Sequence, residues 1–160
     1  MTVKIGFGYD SHRFKKGAFL VIGGEKIPFD KGLDAHSDGD VLLHAICDAM
    51  LGAAALGDIG QHFPDSDPKY KNIDSRMLIK NVVQKLQHKN LMVGNIDSTV
   101  ILEKPKLAEH IPLIKKNISE LLKVSADCVN VKATTNEGMG FIGRGEGVAA
   151  YVAVTLVAEG

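Results

Sequence analysis

Three side chains able to ligate a metal stand at spacings that a regular backbone brings onto one side. Asp10 and His12, in GFGYDSHRF, are two residues apart, and in an extended chain such side chains point the same way. In HSDGDVLLHAICDAMLG, residues Asp40, His44 and Asp48 recur every four positions, so on a helix they form one polar stripe on an otherwise apolar surface. Ionisable groups on a buried helix need partners. Two imidazoles and one carboxylate, His12, His44 and Asp10, suit Zn²⁺ in a catalytic site, where three protein ligands leave a position for water or substrate. Spacing leaves Asp40 or His36 open as a substitute ligand. A local Asp10–His12 ion pair beside a satisfied core histidine is the plainer reading of the same residues.

Two further stretches carry chemistry. The loop GDIGQHFPDSDP, residues 57–68, is dense in carboxylates and turn formers. Asp65 and Asp67 can be mere turn builders there. Asp58, directly after the apolar helix, points to substrate hydroxyls or a hard cation. ATTNEGMGFIGRGEG, residues 133–147, contains a literal GxGxxG. It is not a dinucleotide fingerprint, because the motif needs a helix immediately after it, whereas here a strand follows and the chain ends. Its glycines suit a loop whose backbone N–H groups approach a phosphate, or close subunit packing. Thr134, Thr135 and Glu137 offer hydroxyls and a carboxylate to the same ligand.

The elements that must position these groups follow from periodicity. A strand is expected at Thr2–Phe7 and a hairpin around Gly23-Gly24. Helices are expected near 38–56, at 75–87 with Asp74 or Ser75 as cap, and near 111–122 with Pro112 at its start. Further strands are expected at 95–102, 128–135 and 148–157. The last, GVAAYVAVTLVAEG, shows no alternation, so both its faces should be covered, by helices or by another copy of the chain. The expected fold is a single α/β (α+β) domain over residues 1–160: one mixed four-stranded sheet, helices on one face, and a small hairpin.

Composition narrows the partners. Among 160 residues, 19 basic side chains balance 19 acidic ones, which gives no general attraction to nucleic acid or an anionic membrane. Cys47 and Cys128 lack metal-binding spacing and read as buried free thiols in a reducing compartment. No apolar run is long enough to span a membrane, and no secretory signal pattern opens the chain. A cytoplasmic location is expected, or a plastid for a trimmed mature chain.

Taken together, GFGYDSHRF, VIGGEKIPF, AHSDGDVLLHAICDAMLGAAALGDIGQHFPDSDP, EKPKL and VKATTNEGMGFIGRGEG resemble the 2-C-methyl-D-erythritol 2,4-cyclodiphosphate synthases of the non-mevalonate isoprenoid pathway. The resemblance covers essentially the whole chain; Asn136 stands where other side chains, often Thr, also occur. It implies a phosphorus–oxygen lyase that converts 4-diphosphocytidyl-2-C-methyl-D-erythritol 2-phosphate to the 2,4-cyclodiphosphate with release of CMP. It further implies Zn²⁺ on Asp10, His12 and His44, with Asp40 a supporting or helix-entry carboxylate. His36 and Ser37 would hold the attacking phosphate, and Asp58, Ile59, Gly60, Phe63 and Asp65 the methylerythritol. Leu102, Pro105, Lys106 and Leu107, with Ala133, Thr134 and Thr135, would meet the cytidine from a neighbouring subunit. Glu137 would sit beside Mg²⁺ or Mn²⁺ bridging the phosphates. His36 and Thr135 are the expected catalytic residues. The resemblance also implies a homotrimer around a central cavity, with Phe141, Arg144 and Glu146 on its axis and an isoprenoid diphosphate as a further ligand. There, Arg144 and Glu146 read equally well as an ion pair closing the cavity.

Two other readings compete: a Zn²⁺-dependent phosphohydrolase activating water at the same metal, and a non-catalytic trimer binding metal and prenyl diphosphates.

Overall fold

The structure, a computed structural model, describes residues 2–160. In chain order the strands are Lys4–Lys16 (β1), Phe19–Ile22 (β2), Glu25–Pro28 (β3), Lys31–Asp34 (β4), Leu91–Ile101 (β5), Val129–Thr134 (β6) and Gly147–Ala158 (β7). The helices are Val41–Ala53 (α1), Ile59–His62 (α2), Ser75–Gln87 (α3), Ile111–Leu122 (α4) and Gly140–Gly143 (α5). One mixed sheet has the order β4-β1-β7-β5-β6, and β2 with β3 makes the separate hairpin. β1, β5 and β6 run the same way, with β7 antiparallel between β1 and β5.

The sheet therefore has five strands where four were expected. The extra strand, β4, is the short KGLD segment, which has no apolar alternation and becomes a strand only by pairing with Arg13–Lys16 at the far end of β1. The same pairing explains why β1 runs past the expected Phe7. Its residues from Lys4 to Arg13 are bonded along β7, so the Asp10–His12 pair lies inside a strand rather than after one.

The glycines of GFGYD set the layering. A Cβ at Gly6 would stand 1.9 Å from the Ala49 carbonyl oxygen, and one at Gly8 would stand 1.9 Å from that of Ala45. α1 thus lies directly on the β1 backbone, which only glycine permits. Side chains alternate along a strand, so Asp10 and His12 continue the face of Gly6 and Gly8, toward the helix. Opposite them, Ile5, Phe7 and Tyr9 are exposed, together with Tyr151 from β7.

The helical layer is apolar for the reason the spacing gives: Leu78, Val82 and Leu86 of α3, and Ile114, Ile118 and Leu122 of α4, are all buried. α1 is buried nearly all round. It is shorter than expected because Asp40, not Asp38, accepts the Leu43 N–H and caps it. β7 has its Val148, Ala150, Val152, Val154 and Leu156 side buried, while Tyr151 and Ala153 are exposed within the single chain. Helices therefore cover one of its faces, not both. Cys47 is buried, whereas Cys128 is only partly so. Among the described residues, no helix is long and apolar enough to cross a membrane.

Candidate active site

Close approach of α1 to β1 places His44 over Asp10 and His12. His12 Nε2 and His44 Nδ1 are 3.1 Å apart, Asp10 Oδ2 is 2.9 Å from the first, and it is 3.1 Å from the second. Among the described residues this is the one cluster whose His, Cys, Asp and Glu donor atoms converge enough for a metal. The donor set fits Zn²⁺: bonds of about 2.0–2.1 Å at tetrahedral angles separate neighbouring ligand atoms by roughly 3.3 Å, close to the edges of this triangle. Burial pushes the Asp10 carboxyl up, but the hydrogen bonds and charges of His12 and His44 outweigh it and hold the group at about 2. Burial pushes the His44 imidazole down, yet the Asp10 hydrogen bond and the charges of Asp10, Asp40 and Asp38 leave it raised.

The polar stripe of α1 proves to be three separate devices. Asp40 is fully buried and is not part of the Asp10–His12–His44 cluster. Its carboxylate accepts the N–H groups of Gly23, Gly24 and Leu43 at 2.9, 2.7 and 3.0 Å, tying the β2–β3 turn to the helix start. Burial raises this carboxyl above the usual carboxylate range, against the pull of those N–H groups. His44 faces the cluster. Asp48 accepts the Ile59 N–H at 3.0 Å and fixes the start of α2.

Behind His44 lies a support that the sequence reading did not find. Its Nε2 is 2.8 Å from Ser75 Oγ and 3.0 Å from Ser37 Oγ, and the Ser75 hydroxyl donates to Asp38. With Ser75 donating to Asp38, its oxygen can accept the Nε2 proton, which leaves Nδ1 as the lone pair toward the cluster. Asp74 is the helix cap, accepting the Arg76 N–H, so the adjacent Ser75 is free for this other task. Two neighbouring candidates for one cap were the available signal.

The cluster forms the floor of a cleft of about 500 Å³ lined also by Tyr9, Asp34, His36, Ser37, Ile59, Gly60, Phe63, Asp65 and Tyr70. Asp58 is not among the lining residues; it caps α2, accepting the Gln61 N–H next to the lining residues Ile59 and Gly60. His36 Nε2 is 3.4 Å from the Asp67 carbonyl, so the loop after α2 leans on it.

Leu102, Pro105, Lys106, Leu107, Ala133, Thr134, Thr135, Glu137, Phe141 and Arg144 do not line this cleft. Leu102 and Leu107 are buried in the core. In the sheet, His12 pairs with Val148, Ala149 with Ile101, and Ile101 with Thr134. The Asp10–His12–His44 cluster and Thr134 thus share one end of the sheet, three strand spacings apart, roughly 14 Å. Glu137 is exposed at φ 54°, a left-handed conformation that costs a non-glycine residue about 1–2 kcal/mol. Arg144 is engaged by Glu146 through two hydrogen bonds of 3.1 Å.

The YgbB family model matches residues 3–157. The 2-C-methyl-D-erythritol 2,4-cyclodiphosphate synthase of Methylococcus capsulatus is 59% identical over 156 residues, covering 98% of each chain. That of Thioalkalivibrio sulfidiphilus is 56% identical over 156 residues, covering 98% of this chain and 97% of its own. Among solved structures, the bifunctional IspDF from Campylobacter jejuni superimposes with a TM-score of 0.94 at 43% identity; 98% of this chain is covered, and it spans 42% of that longer one. A Plasmodium falciparum IspF in complex with CDP superimposes with a TM-score of 0.87 at 32% identity over 99% of this chain and 97% of its own.

Proposed function

The chain belongs to the YgbB family, the 2-C-methyl-D-erythritol 2,4-cyclodiphosphate synthases, and from this premise we propose how its residues divide the work of that reaction. A 2-phosphate oxygen of 4-diphosphocytidyl-2-C-methyl-D-erythritol 2-phosphate bonds to the β-phosphorus. The bond from that phosphorus to the bridging oxygen breaks, and CMP leaves with the electron pair. The nucleophile is already an anion within the same molecule, so the protein must chiefly fold the substrate in line and offset its charge.

Asp10, His12 and His44 would hold Zn²⁺, and the observation that carries this reading is their convergence on the floor of the cleft. When bound, the ion supplies a Lewis acid and a template for phosphoryl oxygens. Ser37, Ser75 and Asp38 keep the His44 ring turned with Nδ1 toward that site. His36 and Ser37 line the same cleft and would steady the attacking phosphate, with His36 placed to donate to an equatorial oxygen in the transition state. Phe63 and Ile59 give the methylerythritol an apolar wall; Asp58, Gly60 and Asp65 offer acceptors or room for its hydroxyls.

The remaining residues require a second copy of the chain. Thr135 and Glu137 follow Thr134, roughly 14 Å from the cluster within one chain, too far to act on the same phosphates. A neighbour's Ala133–Thr135 and Leu102–Leu107 segments, brought to the cleft, would complete the nucleotide pocket, with Thr135 as the transition-state donor. Glu137 would hold Mg²⁺ or Mn²⁺, which would supply positive charge to offset that of the substrate phosphates. The exposed Ile5, Phe7, Tyr9 and Tyr151 face supplies the apolar surface for such assembly, in a homotrimer as the family resemblance implies. An isoprenoid diphosphate at Phe141 and Arg144 would have to displace Glu146 from the arginine.

The test follows phosphorus NMR of the cytidyl substrate in ¹⁸O-labelled water, with the solution mass measured on the same sample. CMP and a cyclic diphosphate free of solvent oxygen are expected from a trimer. Labelled, open-chain phosphate would instead identify a hydrolase, and a monomer that turns over at full rate would refute the shared site.

A further inference from the structure

Between β5 and β6, the Leu102 N–H donates to the Thr134 carbonyl at 3.1 Å, the last rung before the two strands part. The next residue, Glu103, reaches across the gap: its Oε1 accepts the Asn136 N–H at 2.8 Å and the Gly138 N–H at 3.4 Å. Between these two amides, the Glu137 N–H turns the other way and donates to Thr135 Oγ1 at 3.2 Å. Glu137 and Gly138 are both left-handed, with φ 54° and 72°, and the Met139 N–H closes the turn on the Asn136 carbonyl at 3.0 Å. Alternate amides aimed at one point form an anion-binding concavity. Here the chain's own carboxylate lies in it.

We infer that Glu103 is a positioning residue for the reaction, its carboxylate filling the amide concavity of the 136–138 turn and thereby setting where Thr135 and Glu137 are presented. The inference rests on the function proposed above. It also takes the Asn136 and Gly138 amides of this glycine-rich loop out of reach of a phosphate, because both already serve Glu103. Within the 135–138 segment, the Thr135 hydroxyl proton and the Glu137 carboxylate are what remain for a ligand.

Burial does not hold this turn. No residue from Ala133 to Phe141 is buried, so no core side chain anchors it. A turn that keeps a non-glycine residue left-handed without apolar anchorage depends on its polar tether. Loss of the tether should therefore leave the fold intact and loosen the two presented groups. Misplacement near ~1 Å at such groups lowers turnover by up to about 100-fold.

Glu103→Ala, Glu103→Gln and Glu103→Asp, in the full-length zinc-loaded enzyme, are compared by CMP release, zinc content and thermal melting. Glu103→Ala should lower kcat about 10- to 100-fold, with unchanged zinc content and an unaltered melting temperature. Glu103→Gln keeps an acceptor at the same reach and should stay within about threefold of the parent. Wild-type kcat in Glu103→Ala, an equal loss in Glu103→Gln, or a melting temperature that falls along with kcat would each overturn the inference. Should the alanine protein not fold, the other pair decides: the glutamine variant must exceed the aspartate variant, whose carboxylate is withdrawn by one methylene, and the reverse order refutes the tether. A parent enzyme that releases no CMP would mean that the function proposal has failed. Amide exchange then tests Glu103 alone: it must accelerate at Asn136 and Gly138 in Glu103→Ala, and unchanged exchange would refute the contact.

Discussion

His12 Nε2 and His44 Nδ1 lie 3.1 Å apart although 32 residues separate them in the chain, and Asp10 Oδ2 closes the triangle. All three donor atoms are close enough to ligate one cation. Replacing His44 by Ala should abolish stoichiometric zinc and lower turnover by more than about 100-fold, since loss of a ligand exceeds the usual cost of losing its support. Metal analysis and CMP release on a properly folded variant check this; full metal content would sink it.

Ser75→Ala tests the support itself. His44 Nε2 keeps Ser37 at 3.0 Å when Ser75 is lost, so the single variant should weaken zinc binding by only about tenfold, and Ser37→Ala with Ser75→Ala by about 100-fold. Chelator competition measures both, and a double variant no worse than the single would deny that the two hydroxyls share one job.

At Gly8 a methyl group has nowhere to go, because its collision partner is backbone, 1.9 Å away at Ala45. Gly8→Ala should cost about 3 kcal/mol or more, at the upper end of overpacking, which for a chain of this size is a drop of roughly 6–12 °C in Tm. Zinc affinity should fall with it, since lifting α1 withdraws His44. A melt within 2 °C of the parent would contradict the layering argument.

Asp40→Asn places an amide NH₂ against a cradle of N–H donors. One of the three bonds from Gly23, Gly24 and Leu43 must become a donor–donor contact, at about 2–3 kcal/mol. Urea denaturation should report this loss while zinc content stays at parental level, because Asp40 does not reach the cluster.

Acid sensitivity of the metal-free protein follows from Asp10, whose carboxyl is held down at about 2 from an ordinary 3.8. A depressed carboxyl contributes stability that is fully present above its unfolded value, near ~4, and is lost as pH falls toward ~2. That contribution is about 2–3 kcal/mol, an upper figure since the side chain is 27% exposed. Asp10→Asn should remove this acid limb in denaturation measured between pH 2.5 and 4.5; an unchanged slope would show that the histidines do not stabilise the carboxylate.

The residues themselves made much of this legible. The i, i+2 spacing of Asp10 and His12 predicted a shared face, and β1 delivers it. The periodicity of α3 and α4 placed their elements at the observed bounds, because burial of one stripe is a local pattern. β4 was invisible for the opposite reason: four residues without alternation pair only because the end of β1 is there to receive them.

Sequence by itself determined the donor types, the faces on which they stand and the family of the chain. Spacing alone could not rank Asp40, His36 and His44 as ligands, since coordination depends on distances between elements and periodicity reports only direction within one; only the family resemblance favoured His44. Tertiary structure brought His44 rather than Asp40 to Asp10 and His12 through Gly6 and Gly8, which let α1 come near enough for His44 to reach β1 while Asp40 turned back to the Gly23-Gly24 amides. It also decided that Thr135 and Glu137 stand far from the cluster in their own chain, because strand order across a sheet is settled by long-range pairing that no local pattern encodes.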